Sequence, residues 1–167
     1  MRILFAALLL IPSLVFADTV MLKVGDPVPA FQLNDQHDKP FPLPADTRLI
    51  VFTADKSAAE MINGHLKQQP SDYMNQRKMV YIADISAMPG FITSMVAIPK
   101  MRDYAYRIAI GAEKEQTEML PRNVDSVTLI KAESGKVVSI QQFKETEASS
   151  LIAALNDVVP TAPVNKP

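Results

Sequence analysis

Two apolar runs constrain this chain more than anything else in it: Leu49-Ile50-Val51-Phe52-Thr53, and Lys78 to Ile85 (KMVYIADI). Each is continuous rather than alternating, so each reads as a strand buried on both faces. Between them, Ser57 to about Gln69 reads as a helix stopped by Pro70. Ser57 can cap that helix, and Glu60 three positions on completes the pattern of a capping box. Gly64 weakens the helix slightly. Strand, helix and strand in this order imply a parallel crossover.

The remaining elements arrange themselves around this unit. Phe31 to Leu33 and Phe41 to Leu43 flank the turn-prone Asn34 to Lys39, which suggests a small hairpin. Prolines 27, 29, 40, 42 and 44 bar it from the centre of a sheet. Phe91 to Tyr106 reads as a helix kinked or split at Pro99, and Arg107 to Gly111 as a short strand. Glu113 to Leu120 is helix-prone and ends at Pro121. Val127 to Lys131 and Val137 to Phe143 form a hairpin about Glu133-Ser134-Gly135. The last helix runs from Glu145 to Val159, with Leu151, Ile152, Leu155 and Val159 on one face. The expected class is α/β, a mixed sheet with helices on both faces and an N-terminal β-hairpin.

The first residues stand apart. A single charge, Arg2, precedes an apolar run from Ile3 to Ile11, followed by a Pro12-Ser13 break and Val15-Phe16-Ala17. This is the pattern of a secretory signal peptide cleaved after Ala17. The run is too short for the ~20 residues that span a bilayer. The expected layout is a signal peptide at 1–17, one domain at 18–159 and a proline-rich disordered tail at 160–167. The mature protein is expected to be exported and soluble, and periplasmic if the source is a Gram-negative bacterium. The charges of the full chain are scattered, with a net charge of −1, which leaves no footprint for nucleic acid or an anionic membrane. The 167 residues contain no cysteine. That excludes thiol redox catalysis, thiolate metal sites and cysteine nucleophiles. An exported domain without disulfides must also rest on its apolar core alone.

Four phrases, in order, resemble the redoxin branch of the thioredoxin-like superfamily, which holds peroxiredoxin-like and periplasmic thiol-disulfide proteins. VGDPVPAFQLNDQHDKPFPL is similar to that branch's opening phrase and hairpin. LIVFTADKSAAEM stands at the strand and redox helix, RIAIGAEKEQTEML at the inserted strand and helix, and VDSVTLIKAESGKVV at the closing hairpin. The resemblance spans roughly Val24 to Val159 and implies a thioredoxin-like fold. Its chemistry does not carry over. In one alignment the two redox cysteines fall on Ser57 and Glu60; in the other, the nucleophile's place is held by Lys56, after Thr53. Asp125, followed by Ser126, stands where the family has a cis-proline facing the redox helix.

Other chemistry is limited by the residues present. Ser57 as a nucleophile needs a base, and only His37 and His65 are available as histidines. The strand-to-helix step, where α/β folds place ligand contacts, carries Asp55 and Lys56. With Thr53, Ser57, Asp84 and Asp125 these form a candidate ligand rim. Met61, Met88, Met95, Met101 and Met119 suit Cu(I) by chemistry and a packed core by spacing. Phe91, Lys100, Arg102, Tyr104, Tyr106 and Arg107 form a candidate partner surface, because Arg, Tyr and Met are enriched in interfaces. The leading expectation is a binding or accessory module without thiol activity or cofactor, with a protein partner in the export compartment. A non-thiol enzyme using Asp55, Lys56 and Ser57, or a carrier of a metal or small ligand, are the alternatives.

Overall fold

The computed structural model describes residues 20–157. The leader with its cleavage site, Val159 and the tail lie outside the described residues. Seven strands form one sheet in the order β2-β1-β5-β4-β3-β6-β7. They are β1 (Leu33–Asp35), β2 (Pro40–Phe41), β3 (Leu49–Thr53), β4 (Met79–Asp84), β5 (Ala109–Gly111), β6 (Ser126–Glu133) and β7 (Lys136–Lys144). β3 runs parallel to β4, and β4 parallel to β5, whereas β3–β6, β6–β7 and β1–β5 are antiparallel. The two continuous apolar runs are therefore β3 and β4 at the centre, and every residue of both is buried. The proline-bearing hairpin lies at one edge, as its missing N–H donors require.

Alternate residues of β3 and β4 feed two apolar layers. On one face, Leu49, Val51, Met79 and Tyr81 pack against Ile62 and Leu66 of α1 (Lys56–Leu66), Tyr73 of α2 (Tyr73–Gln76) and Leu151 and Leu155 of α5 (Ala148–Asn156). Ile152, placed on the same stripe from sequence, is instead 36% exposed. On the other face, Ile50, Phe52, Val80 and Ile82 pack against Leu22, Phe31, Leu33 and Leu120. The helix expected over Glu113 to Leu120 is a single 3₁₀ turn, Lys114–Gln116. Helical cover on this face shrinks to that turn, and the loop after it delivers Met119 and Leu120 to the layer.

The helix expected from Phe91 to Tyr106 is three joined pieces: α3 (Gly90–Ile92), a π-helical stretch (Thr93–Ala97) and α4 (Ile98–Arg102). Pro99 explains the change of pitch. It has no N–H for the carbonyl four residues back, and the ladder widens just before it, with Ile98 N–H donating to Thr93 O. The chain then leaves the helix at Asp103 rather than continuing to Tyr106.

Two polar anchors hold the hairpin down. The buried Asp35 carboxylate accepts from the N–H groups of His37 and Lys39 at 2.9 and 3.0 Å, and from Arg107 Nε at 2.9 Å. Burial pushes its pKa up, but those hydrogen bonds outweigh it and hold the group below the usual carboxylate range. Gln36, 1% exposed, donates to Tyr106 O and Met101 O and accepts from Ile108 N–H. At the opposite edge, the segment from Gly25 to Val28 lies along β7. Gly25 N–H donates to Val137 O, Val137 N–H to Asp26 O, and Val28 N–H to Gly135 O.

Gly64 lies inside α1, and a Cβ built there would meet nothing within 4 Å. Gly64→Ala should therefore raise unfolding free energy by about 0.5–1 kcal/mol in urea titration. Gln36→Leu should lower it by roughly 3 kcal/mol, because it strands the buried N–H of Ile108 and two carbonyls.

Candidate functional site

α1 begins two residues earlier than a Ser57 cap would place it. The cap is Asp55, whose carboxylate accepts from Ala58 N–H at 2.9 Å. Ser57 lies inside the helix, and the Ser57–Glu60 capping box does not form; Glu60 instead faces Lys56 at 3.6 Å on the exposed side of the helix. Ser57 Oγ reaches Asp55 Oδ1 at 2.9 Å and Asp125 Oδ1 at 2.5 Å, and its one proton serves one carboxylate at a time. Asp125 N–H donates to Asp55 Oδ2 at 3.0 Å. Asp125 has φ +55, a left-handed conformation that costs a non-glycine residue about 1–2 kcal/mol. The Asp55 carboxylate thus ties helix start and left-handed residue together. In this part of the rim the polar groups satisfy one another.

The other rim residues, Thr53, Lys56 and Asp84, line one hollow with Asp55 but have different partners. Thr53 is 1% exposed, and its hydroxyl lies 3.1 Å from the Tyr81 hydroxyl in the core. Burial pushes the Tyr81 phenol far above its ordinary pKa, against the hydrogen bond to Thr53. Lys56 points to solvent, its side chain 84% exposed. Asp84 is buried and accepts from Thr117 Oγ1 at 2.6 Å, Arg122 Nη1 at 2.8 Å and Ser86 N–H at 2.8 Å. Burial acts to raise its pKa, and these donors more than offset it, leaving it below the ordinary 3.8. Gly111 makes the cluster sterically feasible, since a Cβ there would sit 2.6 Å from Thr117 Cγ2. Asp84 is therefore the centre of a structural ion pair. Arg122, which sequence reasoning did not single out, is its counter-charge.

The expected partner surface also divides. Arg102 donates to Gln36 O and pairs with Asp38 at 3.0 Å, and Arg107 pairs with Asp35, so both hold the hairpin. Tyr106 donates to Asn63 Oδ1 at 2.8 Å and stacks on Tyr104, with ring centroids 5.2 Å apart. Phe91 is 68% exposed, beside Met95 at 76% and Val96 at 58%. His65 Nε2 lies 3.1 Å from Tyr73 OH, and the partners of Ser57 are carboxylates, so no serine–histidine pair forms. The five methionines do not gather. Met101 is core, Met61 and Met88 pack beside it, Met119 lies in the opposite layer and Met95 is exposed. Among the described residues, no cluster of three His, Asp or Glu side chains could hold a metal ion.

What the fold does bring together is a groove of about 570 Å³ between α1 and the 90–102 segment. Its floor is Thr53, Ala54, Ala83 and Ile85; one wall is Ala59, Asn63 and Gly64, and the other is Met88, Ile92, Val96 and Ala97. Lys67, Lys100 and Tyr104 line it too. It joins the strand-to-helix step to the exposed segment, which sequence treated as two separate surfaces. Most of its wall residues were not singled out. Gly64 was the available signal, as a helix-weakening residue in the last turns of α1.

No protein-family model matches this chain, and no curated protein matches it by sequence. Its structure is nevertheless similar to many solved ones. Peroxidoxin BcpB from Mycobacterium tuberculosis superposes with a TM-score of 0.56 at 14% identity, over 84% of this chain and 99% of that one. A structure named for the thiol:disulfide interchange protein DsbE, from Chlorobium tepidum, gives 0.55 at 16% identity, over 83% and 99%. A peroxiredoxin-like protein from Aquifex aeolicus gives 0.53 at 14%, over 83% and 89%. The fold is thioredoxin-like. Within that fold, this chain has no cysteine at the redox positions or anywhere else.

Asp55→Ala should cost about 1–2 kcal/mol in chemical unfolding, and Ser57→Ala only about 0.5 kcal/mol, the reverse of a serine cap. The Asp84 carboxylate is held below 3.8, so its contribution is complete above that value and is lost as pH falls further. Asp84→Asn should lower stability by roughly 3 kcal/mol at pH 7. It should also flatten the acid limb below pH 3.8, followed by circular dichroism.

Proposed function

We propose that this chain is an exported binding module that uses a thioredoxin-like fold without thiol chemistry and engages its partner through the groove between α1 and the 90–102 segment. The observation that carries this reading is the groove itself: about 570 Å³, walled by Met88, Ile92, Val96 and Ala97, and open beside exposed Phe91 and Met95. Concave, mostly apolar sites with a few polar groups are where proteins bind, and exposed apolar patches mark interaction surfaces. Rim and groove overlap, since Thr53, Asp55, Lys56 and Asp84 line it, and the mutual hydrogen bonds of Asp55, Ser57 and Asp125 favour its apolar walls as the working surface. Export rests on the leader pattern of residues 2–17, and the absence among the described residues of a helix long and apolar enough to cross a membrane is compatible with it.

A photo-crosslinking residue at position 95, in the source cell, tests the reading. A discrete adduct should form, and Val96→Asp should abolish it without moving the unfolding midpoint by more than about 2 °C. The same photoprobe at position 138, on the far hairpin, should give no such adduct. Mass spectrometry of the purified cellular protein should find a chain beginning at Asp18.

A further inference from the structure

The groove has properties that specify its occupant further, given the reading that it is a binding site. α1 lines it with Ala59 and Gly64 among polar Lys56, Glu60 and Asn63, while the opposite wall brings the apolar Met88, Ile92 and Val96. Gly64 has no steric reason within the free molecule, since a Cβ there meets nothing within 4 Å. Glycine inside a helix is unfavourable unless something must approach the backbone closely. An occupant lying against α1 supplies that reason.

Charge gives a second specification. Two of the three acids lining the groove face a cation, and the third, Asp55, caps the start of α1, the opposite end of the helix from Lys67. Asp84 pairs with Arg122, Asp55 accepts from Ala58 and Asp125, and Glu60 faces Lys56. Lys67 and Lys100 have no carboxylate partner among the described residues. Lys67 Nζ sits 4.6 Å above the Tyr104 ring centre. Both lysines and Tyr104 also line a second hollow of about 380 Å³, bounded by Leu66, Tyr73, Met74 and Tyr106. Asp103 lines the second hollow, so the boundary region carries two lysines against one acid, a net positive charge. Size gives a third. Phe91 and Met95 are 68% and 76% exposed, outside the groove lining, so a small ligand filling the groove leaves them in water.

We infer that the occupant is an amphipathic segment of a partner protein. Its apolar side chains fill the groove, its backbone passes against α1 at Gly64, and an Asp or Glu side chain meets Lys67 and Lys100. Its flanks cover Phe91 and Met95. This is recognition of an apolar stripe by a groove, with a charge pair fixing register.

A displayed random 16-residue peptide library, selected on the purified chain, supplies the probe. Enriched peptides should combine apolar residues with Asp or Glu. Fluorescence anisotropy of a selected synthetic peptide should show affinity falling by about threefold in Gly64→Ala and by more than about tenfold in Gly64→Leu, although Gly64→Ala is the more stable protein. Lys67→Glu with Lys100→Glu should also cost more than about tenfold, and a peptide whose acid is replaced by Lys should recover binding to that double variant. Circular dichroism confirms that each variant is folded. Peptides without acids, or binding indifferent to the lysine pair or to Gly64→Leu, overturn this inference. If such binding is still lost in Val96→Asp, the groove reading survives. Enrichment of no peptide, or binding indifferent to Val96→Asp as well, overturns both. Groove-dependent binding of dodecanoate without any peptide binding overturns the protein partner and leaves the groove as a small-ligand site.

Discussion

The Asp55 carboxylate is the interaction on which the functional end of this molecule depends. It stands at the end of a fully buried strand, where α1 begins and unsatisfied N–H groups must find acceptors. One oxygen takes the Ala58 N–H and the other takes the Asp125 N–H. A single side chain thereby sets the start of α1 and its distance from the loop entering β6. Proteins of this fold with redox chemistry use the same junction for reactive sulfur, by the resemblance in sequence. Here the junction's polar groups are tied to one another by hydrogen bonds, and Thr53, Ala54, Asp55 and Lys56 line one end of the groove that runs on along α1.

Much of the fold was legible because its strongest signals are local. β3 and β4 are continuous apolar runs, and strands buried on both faces look that way. The β6–β7 hairpin announces itself through Ser134-Gly135, which both adopt positive φ in a tight turn. Misreadings occur where a distant partner decides. Glu113 to Leu120 has helix-prone residues, yet Thr117 is drawn to Asp84 and Leu120 to the core, so one 3₁₀ turn remains. Asp55 and Ser57 are both good capping residues. Asp55 prevails because its second oxygen is also required by Asp125, 70 positions away.

The candidate site was legible only in part, for the same reason. Asp84, Arg102 and Arg107 looked free in sequence because their partners are 38, 64 and 72 positions distant. Charges buried or half-buried in a fold are paired as a rule. Lys100 and Phe91, expected on a partner surface, are exposed in the fold. The groove itself needed the relative placement of α1 and the 90–102 segment, and Pro99 contributes to the shape of that second wall by forcing a wider helical turn beside Val96 and Ala97. A kink can be expected from proline in sequence; the cavity it borders cannot.

The strap at Gly25 to Val28 has a consequence for the order in which the molecule comes together. Its hydrogen bonds close on Gly135 and Val137, and Leu22 N–H closes on Met119 O, so the first described residues await nearly the last strand. β3 likewise gains its second neighbour only when β6 arrives, with Leu49 opposite Lys131. Contacts of such long sequence separation slow folding, because chain entropy is lost before the contacts form. A chain emerging from its N-terminus holds β3 and β4 with one flank uncovered until β6, ending at Glu133, is available. During that interval the apolar centre of the sheet is a surface for other chains to meet. The strap is among the last pieces to lock, and it caps the edge of β7 once the sheet is complete.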